Sequence, residues 1–145
     1  MPTGADQAPP PELLVDTSVA VALVVADHDH HDAVVAAVGA RRLGLAGHAA
    51  FETFSVLTRL PPPARRTASV VEQLLRSNFT ASRFLGAAET AALLDRLAGL
   101  GIAGGAVYDA LVGAVSVAEK IPLVTRDTRA VEVYRALDVR FEMIG

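Results

Sequence analysis

No cysteine occurs in the 145-residue chain, which excludes a disulfide framework and a thiolate metal site. That absence suits a reducing compartment, and a cytoplasmic location is expected. Tryptophan is also absent. Aromatic residues make up 5% of the chain against 52% hydrophobic residues, so the core must be built mostly from Ala, Val and Leu. No apolar run approaches the ~18–20 residues of a membrane span, so no membrane partner is expected. Met1 to Glu12 is Pro-rich, carries acids and lacks the basic-then-apolar order of a signal peptide. Residues 1–12 therefore read as a flexible tail, and residues 13–145 as one domain long enough for a sizeable core.

Lysine is almost missing: Lys120 stands alone beside twelve arginines. The net charge of −3 at first argues against a nucleic-acid partner. With four of the 16 acids set aside in a cation site, however, 12 acidic residues would face 13 basic ones, and the overall sign decides little. Arginine pairs with phosphate oxygens through two parallel hydrogen bonds, so an Arg-rich rim around an acidic pocket suits a phosphate ligand.

What is present is organised around Leu13-Leu14-Val15-Asp16-Thr17-Ser18. An apolar run reaches an acid, and a helix pattern begins at once. This spacing predicts a buried strand ending where a helix starts, with Thr17 or Ser18 capping the helix. Asp16 then lies at the carboxyl end of a strand, where open α/β sheets bind their ligands. Alternatively, Asp16 is only a cap. Further strands are expected at 43–46, 82–85, 122–125 and 139–143, and helices at 17–26, 33–38, 48–57, 64–79, 87–100, 106–120 and 128–137. Interleaved strands and helices of this kind predict an α/β fold, a three-layer α/β/α arrangement with a central, mainly parallel sheet.

Helical spacing assigns core faces to Phe51, Phe54 and Leu57, to Ala91, Leu94, Leu97 and Ala98, and to Leu111, Ala114, Val115 and Ala118. Gly113 and Ser116 share a face with Asp109 and are expected to keep the space near it open. Gly99–Gly104 matches G-x-G-x-x-G but follows a helix pattern instead of a strand, so it is no dinucleotide fingerprint. The run Asp27-His28-Asp29-His30-His31-Asp32 could ligate a metal, but its place between two helices favours a cap with a solvated face.

Leu14-Val15-Asp16-Thr17 has a counterpart in Leu123-Val124-Thr125-Arg126-Asp127-Thr128. Each is a short strand with an aspartate at its carboxyl end and a helix behind it. Neighbouring parallel strands would bring Asp16 and Asp127 together. Glu52 and Asp109 lie near helix N-termini that could open onto the same edge. Four carboxylates at close range repel one another and bind protons more tightly. A hard divalent cation, Mg²⁺ or Mn²⁺, relieves that repulsion in an all-oxygen site. Such a site activates water and stabilises a phosphate undergoing in-line displacement, with paired ions ~3.5–4 Å apart where two are bound.

Leu-Val-Asp-Thr-Ser, Phe-Glu-Thr, Tyr-Asp-Ala-Leu after Gly-Gly, and Leu-Val-Thr-Arg-Asp-Thr occur in this order between Glu12 and Gly145. In these motifs the chain resembles the PIN-domain ribonucleases, and among them the small stand-alone bacterial toxins of the VapC type. The resemblance implies a PIN-like fold and a metal-dependent endoribonuclease. It makes Asp16, Glu52, Asp109 and Asp127 the metal-binding catalytic quartet, with the Thr17 and Thr125 hydroxyls beside it. It also implies a cognate antitoxin whose tail covers the acidic pocket. Arg126 and Arg129 are candidate phosphate contacts on an RNA substrate. The apolar helices predict a homodimer, with Val34, Val35, Val38 and Phe54 on its face. Two rivals remain: a non-catalytic α/β binding module whose acids are helix caps, and an aspartyl phosphotransferase. The latter needs a second Asp two positions after Asp16, where Ser18 stands.

Overall fold

Short runs of Leu and Val separated by amphipathic segments can hide both faces of a strand only beneath helices on each side. The computed structural model, which describes residues 11–145, has that arrangement. Four strands, β1 (Glu12–Val15), β2 (Arg42–Leu45), β3 (Leu123–Thr125) and β4 (Phe141–Met143), form one sheet in the order β2-β1-β3-β4. Every pairing is parallel, with Leu13 opposite Leu43, Val15 opposite Val124 and Thr125 opposite Met143. Seven helices connect them: α1 (Thr17–Val24), α2 (His31–Val38), α3 (His48–Arg59), α4 (Ala68–Asn78), α5 (Ala87–Arg96), α6 (Ala106–Glu119) and α7 (Val131–Ala136). A short 3₁₀ turn, Thr128–Ala130, precedes α7.

Alternation along β1 divides the core. Leu13 and Val15 pack with Val19, Ala22, Val34 and Val38 under α1 and α2. Leu14 packs with Ala110, Val115 and Tyr134 under α6 and α7. Leu13, Leu14 and Val15 are fully buried, and each such side chain contributes ~1.5–3 kcal/mol of hydrophobic stabilisation. Helix α3 stands at the margin against α1, α4 and α6. The carboxyl ends of β1 and β3 thus meet the starts of α1 and of the 3₁₀ turn, with α3 and α6 alongside.

The structure corrects several expectations. The sheet begins at Glu12, within the segment assigned to the tail; residues 1–10 of that segment lie outside the described residues. The strand expected at 82–85 is reduced to one bridge, Ala46 with Arg83. Here the Leu45 N–H donates to the Ser82 side-chain hydroxyl at 2.9 Å instead of to a carbonyl, which interrupts the ladder. The Ala81 carbonyl also lies so close to Gly44 that a Cβ there would come within 2.1 Å of its oxygen.

Helix faces differ too. In α3 the buried stripe is Ala49, Thr53 and Leu57, while Phe51 is 68% exposed. In α5 Leu93 is buried and Leu94 is 71% exposed. In α6 the buried side is Ala110, Val112, Gly113, Val115 and Ser116; Leu111 and Ala114 are half-buried and Ala118 is exposed. In α5 and α6 the many small residues leave several faces of nearly equal hydrophobicity, so sequence spacing leaves their rotation undetermined. Val34 and Val38 are buried against the sheet and Phe54 is half-buried, leaving Val35 as the exposed member of the expected dimer face.

Candidate active site

Strand β1 delivers Asp16 to the sheet edge, where it becomes the N-cap of α1. Its extended backbone (φ −91°, ψ −179°) lets Oδ1 accept the Val19 N–H at 3.3 Å. Asp16 itself is therefore the cap expected of Thr17 or Ser18. The same oxygen accepts the Ser18 hydroxyl at 2.6 Å, and Oδ2 accepts the Tyr134 hydroxyl at 3.0 Å. Ser18 Oγ in turn accepts the Arg126 N–H at 2.9 Å, linking the ends of β1 and β3. Both oxygens of Asp16 are oriented by these bonds. Burial raises its pKa, and hydrogen bonds from Ser18, Thr125, Tyr134 and Val19 oppose that rise.

Strand β3 repeats the device. The Asp127 N–H donates to Thr125 Oγ1 at 3.0 Å, and Asp127 Oδ1 accepts the Arg129 N–H at 3.0 Å, capping the 3₁₀ turn. Because β1 and β3 are hydrogen-bonded neighbours, Asp16 and Asp127 stand on adjacent strand ends. Asp109 projects from the first turn of α6 and Glu52 from α3. Burial pushes the Asp109 carboxyl up to about 6, helped by the charges of Asp127, Glu52 and Asp16. Glu52 is likewise raised, first by burial and then by Asp16, against the lowering influence of His48. The four acids share one electrostatic environment although they come from four separate elements.

The flanking residues divide. Thr17 Oγ1 is the one buried side-chain polar atom without a hydrogen-bond partner among the described residues. Arg126 is half-buried, its guanidinium 3.4 Å from the Ser18 carbonyl. The Arg129 side chain is 91% exposed, with only a 3.4 Å pairing to Asp127, and such exposed pairs hold a side chain weakly. The His28–His31 run forms loop contacts: His31 Nδ1 lies 2.9 Å from the Ala22 carbonyl, and the His30 N–H donates to His28 Nδ1 at 3.1 Å.

Two contributors escaped sequence reasoning. Ser18 was considered only as a cap, although its place two residues after the acid brings it back to the carboxylate. Tyr134 carries no local signal at all. It reaches Asp16 because Gly113 has no side chain: a Cβ there would lie 3.0 Å from the Tyr134 ring. The small residues of α6 therefore do not leave the acid's surroundings open. The Tyr134 ring fills the space at Gly113, and Ser116 bonds the Ile121 carbonyl.

Among the described residues, no three His, Asp or Glu side chains form a ready-made ligand shell for one ion. The donor set nevertheless fits a hard cation. It is all oxygen, the neighbouring acids help to raise Asp109 and Glu52, and a buried hydroxyl beside Asp16 lacks a partner.

The PIN domain family profile matches residues 13–136. Ribonuclease VapC27 of Mycobacterium tuberculosis is 45% identical over 129 residues, covering 89% of this chain and 94% of that one. Ribonuclease VapC40 of the same species is 46% identical over 131 residues, covering 89% and 96%. Among solved structures, VapBC2 from Rickettsia felis, bound to a DNA fragment from its promoter, superposes with a TM-score of 0.65 at 15% identity, covering 91% of this chain and 98% of that one.

Proposed function

The chain belongs to the PIN-domain family, and from that premise we propose that it is a metal-dependent endoribonuclease, the toxin of a toxin–antitoxin pair acting in the cytoplasm. The observation that carries this is the gathering of Asp16, Glu52, Asp109 and Asp127 at the carboxyl edge of the sheet, where burial, helped by the charges of the other three, pushes Asp109 up to about 6. The ribonuclease names of relatives near 45% identity support the RNA substrate.

Asp16, Glu52, Asp109 and Asp127 would hold Mg²⁺ or Mn²⁺, with the Thr17 and Thr125 hydroxyls beside them. The bound ion would neutralise charge on the phosphodiester and ease deprotonation of the attacking water. The chain's own contribution is orientation. Ser18 and Tyr134 fix the two oxygens of Asp16, and Thr125 anchors the backbone of Asp127. Arg129, free to swing, meets a phosphate oxygen of the RNA. Arg126 holds the strand ends together through Ser18 and is the weaker phosphate contact.

One observation favours the rival binding module: Asp16 and Asp127 both cap helical turns. Capping leaves the other two acids unexplained. The N-caps of α3 and α6 are Gly47 and Gly105, with no side-chain cap bond at either. Glu52 and Asp109 thus bear the cost of crowding without capping anything.

Two partners follow from this proposal. A cognate antitoxin covers the acidic edge; a co-purified complex with no protein segment near Asp16 and Asp127 would refute that. A second copy covers the exposed Leu94 and Val117 and the groove lined by Leu85, Leu93 and Leu137. The deciding experiment incubates partner-free protein with total RNA in Mg²⁺ or Mn²⁺, beside Asp127→Asn and an EDTA control. Discrete cleavage lost in both controls is the expected result. Intact RNA in every lane, with no thermal shift in Mn²⁺, would leave the binding module.

A further inference from the structure

Outside the carboxylate cluster, the densest group of exposed rings lies beside Glu52. His48 stacks on Tyr108 with ring centroids 4.9 Å apart and an interplanar angle of 19°, and Tyr108 remains 52% exposed. Phe51, 68% exposed, meets the exposed Phe84 edge-on at 6.4 Å. A groove of about 360 Å³ runs past His48, Phe51, Glu52, Arg59 and Tyr108. Arg59 is held by its Nε to the carbonyl (3.3 Å) and hydroxyl (3.1 Å) of Ser55, which keeps its charge on this face.

We infer that this groove is a subsite for one unpaired nucleotide of a single-stranded RNA, its base stacked on Tyr108 and its phosphate paired with Arg59. The inference rests on the ribonuclease proposal and adds where on the chain an unpaired nucleotide is held. Three features argue for it. Glu52 belongs to both the groove and the carboxylate cluster, and His48 Nε2 lies 3.8 Å from Glu52 Oε1. A strand with its scissile phosphate at the acids therefore passes this groove with an adjoining nucleotide. The lining pairs aromatic faces with an arginine, the combination that binds single strands by stacking their bases and pairing with their phosphates. The bases of a duplex are stacked inside it, so an exposed ring can receive only a base from a loop, bulge or end.

The test first asks whether the wild-type protein cleaves total RNA in Mn²⁺. If it does not, the ribonuclease proposal fails and this one with it. If it does, fluorescein-labelled oligo(A), alone and annealed to oligo(U), is titrated by anisotropy into Asp127→Asn protein carrying Tyr, Phe, Leu or Ala at position 108. Tyr108 is exposed, and an unchanged melting temperature verifies folding of each variant. The single strand should bind more tightly than the duplex. Tyr108→Phe should stay within about twofold, while Tyr108→Leu and Tyr108→Ala should lose about 5- to 150-fold, the range set by one base–aromatic stack. Unchanged binding by the Leu and Ala variants would overturn the subsite. So would a loss in the Phe variant as large as in Ala. If Tyr108→Ala instead changed only the oligomeric state in sedimentation, a second copy would be the occupant and the subsite would be refuted.

Discussion

Replacing Asp109 by Asn should make the metal-free protein more stable at pH 8, because the charge removed is one that burial and then its neighbours oppose. Burial and the charges of Asp127, Glu52 and Asp16 raise its pKa from 3.8 to about 6. A raised folded-state pKa means that the folded protein binds this proton more tightly than the unfolded chain. The penalty is therefore absent below about pH 4, grows as pH rises towards 6, and is complete above it. Just over two pKa units at ~1.36 kcal/mol each gives about 3 kcal/mol. Asp109 is half-exposed and its repulsions are screened by water, which lowers the expected gain to ~1–2 kcal/mol. For a domain of this size that corresponds to a rise in Tm of ~3–6 °C. Differential scanning calorimetry in EDTA at pH 8 and at pH 4 measures it. The variant should exceed wild type at pH 8 and match it at pH 4. Added Mn²⁺ should raise the wild type and lift the variant less, closing or reversing the gap. Destabilisation at pH 8 in EDTA, or an equal shift at both pH values, would show that the acids do not crowd one another.

Tyr134→Phe keeps the ring and removes its bond to Asp16; it should cost ~1.5–3 kcal/mol in urea melts and weaken Mn²⁺ binding by ~10–100-fold in isothermal titration. Gly113→Val should destabilise by ~1–3 kcal/mol, because even a Cβ at that position lies 3.0 Å from the Tyr134 ring and from Val139. It should also weaken Mn²⁺ binding in the same direction as Tyr134→Phe, since it displaces the same hydroxyl. Leu94→Glu puts a charge on a residue that is 71% exposed, so the folded monomer should tolerate it. Sedimentation velocity should show the variant as monomer where wild type is dimer.

The sheet and the two strand-end aspartates were legible because Leu13-Leu14-Val15 runs straight into Asp16 and Leu123-Val124-Thr125 reaches Asp127 one residue later, signals confined to neighbours in sequence. The approach of Glu52 and Asp109 to those aspartates was foreseeable only as an edge onto which several helices open. The remainder depended on contacts between distant segments. Ser82 interrupts a ladder by offering a hydroxyl to Leu45, and nothing in Ser82-Arg83-Phe84-Leu85 itself marks that. Alanine-rich α5 concealed its rotation, so Leu94 was expected inside and stands outside; in α3 the stripe rotates onto Ala49, Thr53 and Leu57, which leaves Phe51 outside. Tyr134 meets Asp16 across 118 positions, and only the missing side chain of Gly113 permits it.

Capping and metal binding are not exclusive roles for Asp16 and Asp127. A cap uses one lone pair of one oxygen on a backbone N–H, and a carboxylate has about four such positions. Asp16 has committed Oδ1 to Val19 and Ser18 and one position of Oδ2 to Tyr134. The direction of Oδ2 is thus fixed by groups that do not move with the ligand. Asp127 has committed Oδ1, to the Arg129 N–H and side chain. Fixing the acid through its cap means that little side-chain freedom remains to be lost when a cation arrives. Asp109 and Glu52 have no such anchors. They are half-buried and mutually repelled, and Glu52 has only His48 at 3.8 Å as a partner, which would suit both acids to adjust if an ion entered. Under the metal-site proposal, the same division accounts for the lack of a complete ligand shell among the described residues: two acids are held by secondary structure, and two would close only on the charge of an ion.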